Sequence, residues 1–353
     1  MKIIRVLIVD DSSLVRTSLA RGLKKHADIE VVGLAPDPFI ARDMMAKVTP
    51  DVIVLDIEMP RMDGLTFLRR IMKFQPIPTI IVSSLTAKGT KTALACLESG
   101  AVEVLAKPGA AYSIGNLTEE LAGVIRNAAL TKPRRRTAPL AQVATTSTAM
   151  LETTNKIIAI GASTGGTQAL EQVLRALPRM CPGLAIVQHM PEKFTRSFAE
   201  RLNEVCQIEV REAADGDTMH TGLALIAPGN RHMALTHSGS VYKVRVKTGP
   251  RVHGYCPSVE VLFESAARNV GANGMGVIMT GMGDDGATAM NTYHEAGAFT
   301  VAQDEATCVV YGMPKEAVAR GGVDVVVPLE KIPEQIVAFA SGRVRSLRRK
   351  RSA

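Results

Sequence analysis

The sequence has no long apolar run: its first candidate, Ile3 to Val9, is interrupted by Arg5 and followed by Asp10 and Asp11. That excludes a transmembrane helix, argues against a secretory signal, and leaves no expectation of direct membrane insertion. Cysteine is sparse. Cys96, Cys181, Cys206, Cys256 and Cys308 are odd in number and scattered, with no C-x-x-C pair. This fits a reducing cytoplasm and does not fit a zinc site. With 46% hydrophobic and 22% charged residues over a length of 353, the chain is able to bury substantial cores. At about 100 to 200 residues per domain, two domains are expected.

The net charge of +8 suggests nucleic acid until its placement is considered. Lys132 and Arg134 to Arg136 form one basic run, and Arg343, Arg345, Arg348, Arg349, Lys350 and Arg351 form another, with no acidic residue inside either. These cations outnumber the net total, so the remainder of the chain is slightly acidic. A basic connector and a basic tail are usually solubilising or partner-contacting appendages. No helix-turn-helix pattern appears, and nucleic acid is not expected as a partner.

From Met1 to about Arg126, short β-branched runs alternate with helical stretches: strands at Arg5 to Val9, Glu30 to Leu34, Val52 to Leu55, Thr79 to Val82 and Glu103 to Leu105, each followed by a segment long enough for a crossover helix. Five βα units predict a flavodoxin-like, doubly wound parallel sheet over 1–126. Pro133 and Pro139 bracket the arginine triplet in a stretch without periodicity, which reads as a linker over 127–155. A second doubly wound α/β domain is predicted over 156–341, carrying an antiparallel hairpin insert of Met233 to Thr236 against Val241 to Val246. The basic tail fills 342–353.

Asp10 and Asp11 end the first predicted strand, Asp56 ends the third, and Lys107 followed by Pro108 ends the fifth. In an open parallel sheet these ends share one rim. Three carboxylates there repel one another unless a hard cation such as Mg2+ sits among them, and such an ion with a nearby lysine would leave Asp56 free to act as a nucleophile towards a phosphoryl group. The bland alternative is a set of ordinary strand-end carboxylates capping helices.

The set Asp10, Asp11, Asp56, Ser83 and Lys107, with Met59-Pro60 and Asp63-Gly64, closely resembles the receiver domain of two-component response regulators, over about the first 125 residues. The resemblance implies that Asp56 accepts phosphate from a histidine kinase. It further implies that Asp11, Asp56 and the Glu58 backbone carbonyl hold Mg2+, that Asp10 assists, and that Ser83 and Lys107 contact the phosphoryl oxygens. Many receivers carry an aromatic switch residue in the fifth strand; Val104 stands there instead.

In the second domain, Gly161-Ala162-Ser163-Thr164-Gly165-Gly166 follows a strand and opens a helix, as G-x-S-x-G does. Such a turn either projects a nucleophilic hydroxyl from the sheet rim or cradles a phosphate at the helix N-terminus. Partners for catalysis exist. Among the seven histidines only His189, in Gln188-His189-Met190-Pro191, directly follows a buried parallel strand. Asp284 and Asp285 follow another, in Thr280-Gly281-Met282-Gly283-Asp284-Asp285-Gly286. A Ser, His, carboxylate constellation at strand carboxyl ends is the requirement of a triad.

The region 156–341 resembles the catalytic domain of the chemotaxis response-regulator protein-glutamate methylesterase family, in the Gly-Ala-Ser-Thr-Gly-Gly turn, the Gln-His-Met-Pro segment, Ala227-Pro228-Gly229 with His232, and the Thr-Gly-Met-Gly-Asp-Asp-Gly loop. The resemblance implies Ser163 as nucleophile, His189 as general base and then acid, Asp285 as the orienting carboxylate and the Met282 N–H as oxyanion donor. Asp284 is then a loop residue, open to capping the next helix. The implied activity is hydrolysis of glutamate γ-methyl esters, with glutamine deamidation, on the cytoplasmic helices of methyl-accepting chemoreceptors. No cofactor is implied for the esterase. A receiver placed before an esterase suggests an autoinhibited enzyme that Asp56 phosphorylation releases. The competing expectation is a response regulator whose second domain binds a phosphorylated ligand without catalysis.

Overall fold

The computed structural model describes residues 3–84, 86–107, 114–131, 156–239 and 241–344. The arginine triplet and the tail beyond 344 lie outside the described residues. The chain divides into two units, 1–139 and 140–353.

In the first unit the strands β1 (Ile4–Val9), β2 (Ile29–Ala35), β3 (Val52–Asp56), β4 (Thr79–Ser83) and β5 (Glu103–Ala106) form one parallel sheet in the order β2-β1-β3-β4-β5. Between and after them run α1 (Ser13–Leu23), α2 (Pro38–Lys47), α3 (Gly64–Phe74), α4 (Ala87–Glu98) and α5 (Ile114–Leu130). β3 and β4 are buried at every position, as strands with helices on both faces must be. The turns that follow these strands end in capping side chains: Ser12 accepts from the Val15 N–H, Asp37 from Phe39 and Ile40, Asp63 from Thr66, and Thr86 from Gly89. Each satisfies an orphan donor of the first turn. α5 continues to Leu130, into the stretch expected to be linker, because Leu117, Leu121, Ile125 and Ala128 carry one buried stripe at helical spacing past residue 126.

The second unit holds β6 (Ile157–Ala162), β7 (Gly183–Gln188), β8 (Glu209–Glu212), β9 (Leu223–Ile226), β10 (His232–Ser238), β11 (Val241–Lys247), β12 (Gly274–Ile278), β13 (Phe299–Gln303) and β14 (Val325–Val327). Its helices are α6 (Gly166–Ala176), α7 (Phe194–Val205), α8 (Val259–Asn269), α9 (Ala287–Glu295), α10 (Met313–Ala319) and α11 (Ile332–Ala340). Seven strands form a parallel sheet in the order β14-β13-β12-β6-β7-β9-β8, and β10 pairs antiparallel with β11 as a separate hairpin. On β11, Tyr242, Val244 and Val246 turn inward while Lys243, Arg245 and Lys247 face water, the alternation of a half-covered ribbon. The hairpin leans on α8, where the Leu235 N–H donates to Ser265 Oγ at 2.8 Å. β8 escapes the sequence reading because Glu-Val-Arg-Glu buries only Val210; an edge strand has one paired side and tolerates charge.

In each sheet the strand order reverses beside the first strand of the unit, between β1 and β3 and between β6 and β12, and in the second it turns back again where β9 lies inside the edge strand β8. A crevice opens at the carboxyl ends of strands flanking such a point. No described helix is long and apolar enough to cross a membrane.

Gly64 shows how tightly the first rim is built. A Cβ there would lie 2.1 Å from the Asp56 carbonyl oxygen and 2.9 Å from the Ile57 Cα, both backbone atoms. Gly64→Ala is therefore expected to destabilise the first unit by about 1–3 kcal/mol, seen as an earlier unfolding transition in urea. An unshifted transition would contradict this packing.

Candidate functional site

Three side chains meet at the second crevice. Ser163 follows β6, His189 follows β7, and Asp285 stands in the loop after β12, so three adjacent strands deliver them. His189 Nδ1 lies 3.0 Å from Ser163 Oγ, and His189 Nε2 lies 2.8 Å from Asp285 Oδ2. All three are buried. With Nε2–H donating to the carboxylate, Nδ1 is free to accept the serine proton. The two ring nitrogens thus exchange the places they occupy in the chymotrypsin-type triad.

Local structure explains how each group is held. The Ser163 N–H donates to the Thr280 carbonyl at 3.0 Å, and the Ser163 carbonyl accepts from the Gly166 N–H at 2.7 Å and from Gln188 Nε2 at 2.9 Å. Gly165 bends the chain at φ +78°, in the left-handed region that favours glycine. Gln188 Nε2 also donates to the His189 carbonyl at 3.0 Å, so one amide ties the serine turn to the histidine backbone.

Asp285 is completely buried and lies against the start of α8. Its Oδ1 accepts from Ser258 Oγ at 2.7 Å and from the Glu260 N–H at 3.2 Å, and its Oδ2 accepts from the Val259 N–H at 2.7 Å besides His189. The carboxylate therefore caps α8 from another segment, where the positive end of the helix dipole favours negative charge. Burial works to raise its pKa, yet the His189, Ser258 and Val259 hydrogen bonds hold the group below the ordinary carboxylate value. Glu260 is also buried and accepts the Gly286 N–H at 3.0 Å; desolvation pushes its carboxyl upward.

Asp284 goes elsewhere. Its side chain pairs with Arg320 Nη2 at 2.5 Å and with His253 Nδ1 at 3.5 Å rather than capping α9, whose start uses only the Asp284 carbonyl. The Arg320 hydrogen bond holds its carboxyl low. His232 donates to or accepts nothing in the triad; its Nε2 bonds the Pro250 carbonyl at 2.8 Å.

The loop carrying Met282 presses on Ser163. A Cβ on Gly281 would fall 2.7 Å from the Ser163 Cβ, so only glycine permits this approach. The Gly281 N–H is taken by the Val310 carbonyl, and the Gly281 carbonyl accepts from Gly312 and Met313. The half-buried Met282 keeps an N–H with no acceptor among the described residues, as an oxyanion donor requires.

At the first crevice, carboxylate oxygens of Asp10, Asp11 and Asp56 lie within 4.8 Å of one another. Lys107 Nζ lies 2.8 Å from both Asp10 Oδ2 and Asp56 Oδ2. Burial raises the Asp56 carboxyl against the opposing pull of Lys107, whose own ammonium is favoured by the two aspartates more than desolvation disfavours it. One lysine cannot balance three acids, and an all-oxygen donor set with one exposed member suits a hard divalent cation. Ser83 is buried, with Oγ 3.3 Å from the carbonyls of Ser84 and Gly89. The Glu58 side chain is exposed and its Oε2 accepts from Ser84 Oγ at 3.4 Å. Val104 is buried in β5.

Sequence reasoning missed Ser258, Gln188 and Gly281. Ser258 had a signal in the serine that precedes α8 after Pro257; its use for a distant carboxylate had none.

Comparison with known proteins agrees in extent with this division. The family description CheB methylesterase matches residues 158–336, and response regulator receiver domain matches residues 6–119. A protein-glutamate methylesterase/protein-glutamine glutaminase of Syntrophus aciditrophicus is 54% identical over 342 residues, covering 96% of this chain and 99% of its own. One of Salmonella typhimurium is 49% identical over 346 residues, covering 97% and 98%. The crystal structure of the Thermotoga maritima CheB methylesterase catalytic domain is 35% identical with a TM-score of 0.52, covering 53% of this chain and 99% of that one.

If Ser258 positions Asp285, Ser258→Ala should lower turnover roughly 10- to 100-fold, the range for losing a hydrogen bond to a buried charge, and Ser258→Thr should restore most of it. Steady-state esterase kinetics check this; an Ala variant at full rate would remove Ser258 from the site.

Proposed function

The chain belongs to the protein-glutamate methylesterase/protein-glutamine glutaminase family of response regulators, and from that premise we propose how its own residues carry out the hydrolysis. Ser163 Oγ attacks the γ-carbonyl of a methylated glutamate side chain while His189 Nδ1 takes its proton. The charge that develops on the carbonyl oxygen is met by the Met282 N–H. Asp285 steadies the imidazolium through Nε2–H. As the tetrahedral intermediate collapses, His189 returns the proton to the departing methoxide, and methanol leaves. Water then attacks the acyl-enzyme, again losing a proton to His189, which returns it to Ser163 Oγ as the ester bond breaks and the glutamate carboxylate is released. With glutamine the same steps expel ammonia. The observation that carries this reading is the unbroken hydrogen-bond chain from Ser163 through His189 to Asp285.

The proposed substrates are methyl-accepting chemoreceptors, through which the enzyme would set chemotactic adaptation. Asp56 is proposed to accept phosphate from a chemotaxis histidine kinase, with Ser83 and Lys107 contacting the phosphoryl oxygens. Asp11, Asp56 and the Glu58 carbonyl, assisted by Asp10, would hold Mg2+, which when bound supplies positive charge opposite the phosphoryl group. Support comes from the clustered carboxylates and the reach of Lys107 to two of them. A cytoplasmic location is proposed on the free state of all five cysteines. A ligand-binding role for the Ser163 turn without catalysis is not favoured, since the hydroxyl is engaged by His189.

Methanol release from methylated receptor membranes tests both halves. Ser163→Ala is expected to lower the rate by about 10^6-fold and Asp285→Asn by about 10^4-fold, with folding retained. A small-molecule acyl phosphate with Mg2+ should raise the wild-type rate and leave Asp56→Asn unchanged. Full activity in Ser163→Ala, or equal stimulation of Asp56→Asn, would refute the corresponding half.

A further inference from the structure

The His189 imidazole is covered on one face by Tyr255, with ring centroids 3.7 Å apart and planes 9° from parallel. Two neutral aromatic rings avoid this close face-to-face arrangement and prefer offset or edge-on contact. An imidazolium reverses that preference, because the negative face of the phenol ring attracts a cation lying over it. Tyr255 is only half-buried, so filling the core does not account for its place.

The backbone holds the ring there. Val252 and Tyr255 exchange hydrogen bonds, the Val252 N–H to the Tyr255 carbonyl at 3.0 Å and the Tyr255 N–H to the Val252 carbonyl at 2.9 Å. His253 and Gly254 between them both adopt positive φ, +49° and +84°, the geometry of a two-residue hairpin turn. Arg251 Nη1 braces the Gly254 carbonyl at 3.0 Å, and the Asn230 N–H donates to the Cys256 carbonyl at 3.2 Å. Three residues beyond Tyr255 the same segment supplies Ser258, Val259 and Glu260 to Asp285. A single stretch thus fixes the carboxylate at the edge of the imidazole and the aromatic plate over its face.

We propose that Tyr255 is a positioning residue for His189, holding the ring in the plane shared by Ser163 and Asp285 and favouring the imidazolium that forms when Ser163 attacks. The role acts on kcat rather than on substrate affinity. It rests on the reading of His189 as the general base.

The test is steady-state methanol release by the full-length chain carrying Tyr255→Leu, Tyr255→Phe or His189→Gln, each checked for folding by its urea transition. The Leu variant is expected to lose about 3- to 30-fold in kcat, the range of a cation–π contact, with KM within about twofold. The Phe variant, which keeps the ring face, should stay within about twofold of wild type. A Leu variant at full kcat, a Leu variant altered only in KM, or a Phe variant as slow as Leu would each overturn the proposal. An active His189→Gln would instead overturn the base assignment itself, whatever Tyr255 does. Should Tyr255→Leu fail to fold, proton NMR of histidine-labelled protein decides: the His189 ring protons must be shifted upfield by the overlying ring in wild type and in Tyr255→Phe, and ordinary positions would sink the idea.

Discussion

A buried carboxylate organises the second domain. Asp285 has no exposed surface, and an ionised group in such a place is tolerated only when its lone pairs are all engaged. Ser258, the first two amides of α8 and His189 engage them. Satisfying one charge therefore fixes the start of α8, the loop after β12 and the residue after β7 relative to one another. Small residues make the convergence feasible: a Cβ on Gly161 or on Gly286 would lie 2.2 Å or 2.4 Å from a Val259 methyl carbon. Val259 seats α8 against the end of β6 and the start of α9 and brings the helix's first amides to the carboxylate.

The two domains solve opposite electrostatic problems with similar scaffolds. At the reversal of strand order in the second, one fully paired carboxylate, Asp285, serves the imidazole, and the neighbouring buried Glu260 is turned to the Gly286 N–H. At the reversal in the first, charge is concentrated: Asp10, Asp11 and Asp56 crowd together, and among the described residues only Lys107 forms an ion pair with the buried Asp10 and Asp56. The first arrangement suits a group that accepts a dianion and a metal, the second a nucleophile that must lose a proton to a neutral base.

Much of this was legible in the sequence because parallel strands announce themselves as continuous apolar runs, and the residues just after them must lie on one rim. That rule puts Ser163, His189 and Asp56 on the rims, while their roles, and the choice of Asp285 over Asp284, required the family resemblance. The end of α5 at Leu130 was readable in the Leu121, Ile125, Ala128 spacing, which carries the helix four residues past the domain boundary set at 126. Ser258 was readable as the residue opening α8, but its bond to Asp285, like the contact of Tyr255 with His189, was not: each acts across the fold on a residue with which it shares no sequence spacing. Polar Glu209–Glu212 gave no strand signal, since its pairing at the sheet edge and not its composition makes it a strand.

The central claim is a covalent ester on Ser163, and mass spectrometry of an acid-quenched reaction with a methylated receptor substrate addresses it most directly. The account predicts an acyl adduct on the peptide containing Ser163, transient in wild type. Turnover that proceeds with no adduct there, or with the adduct on a different residue, would contradict it.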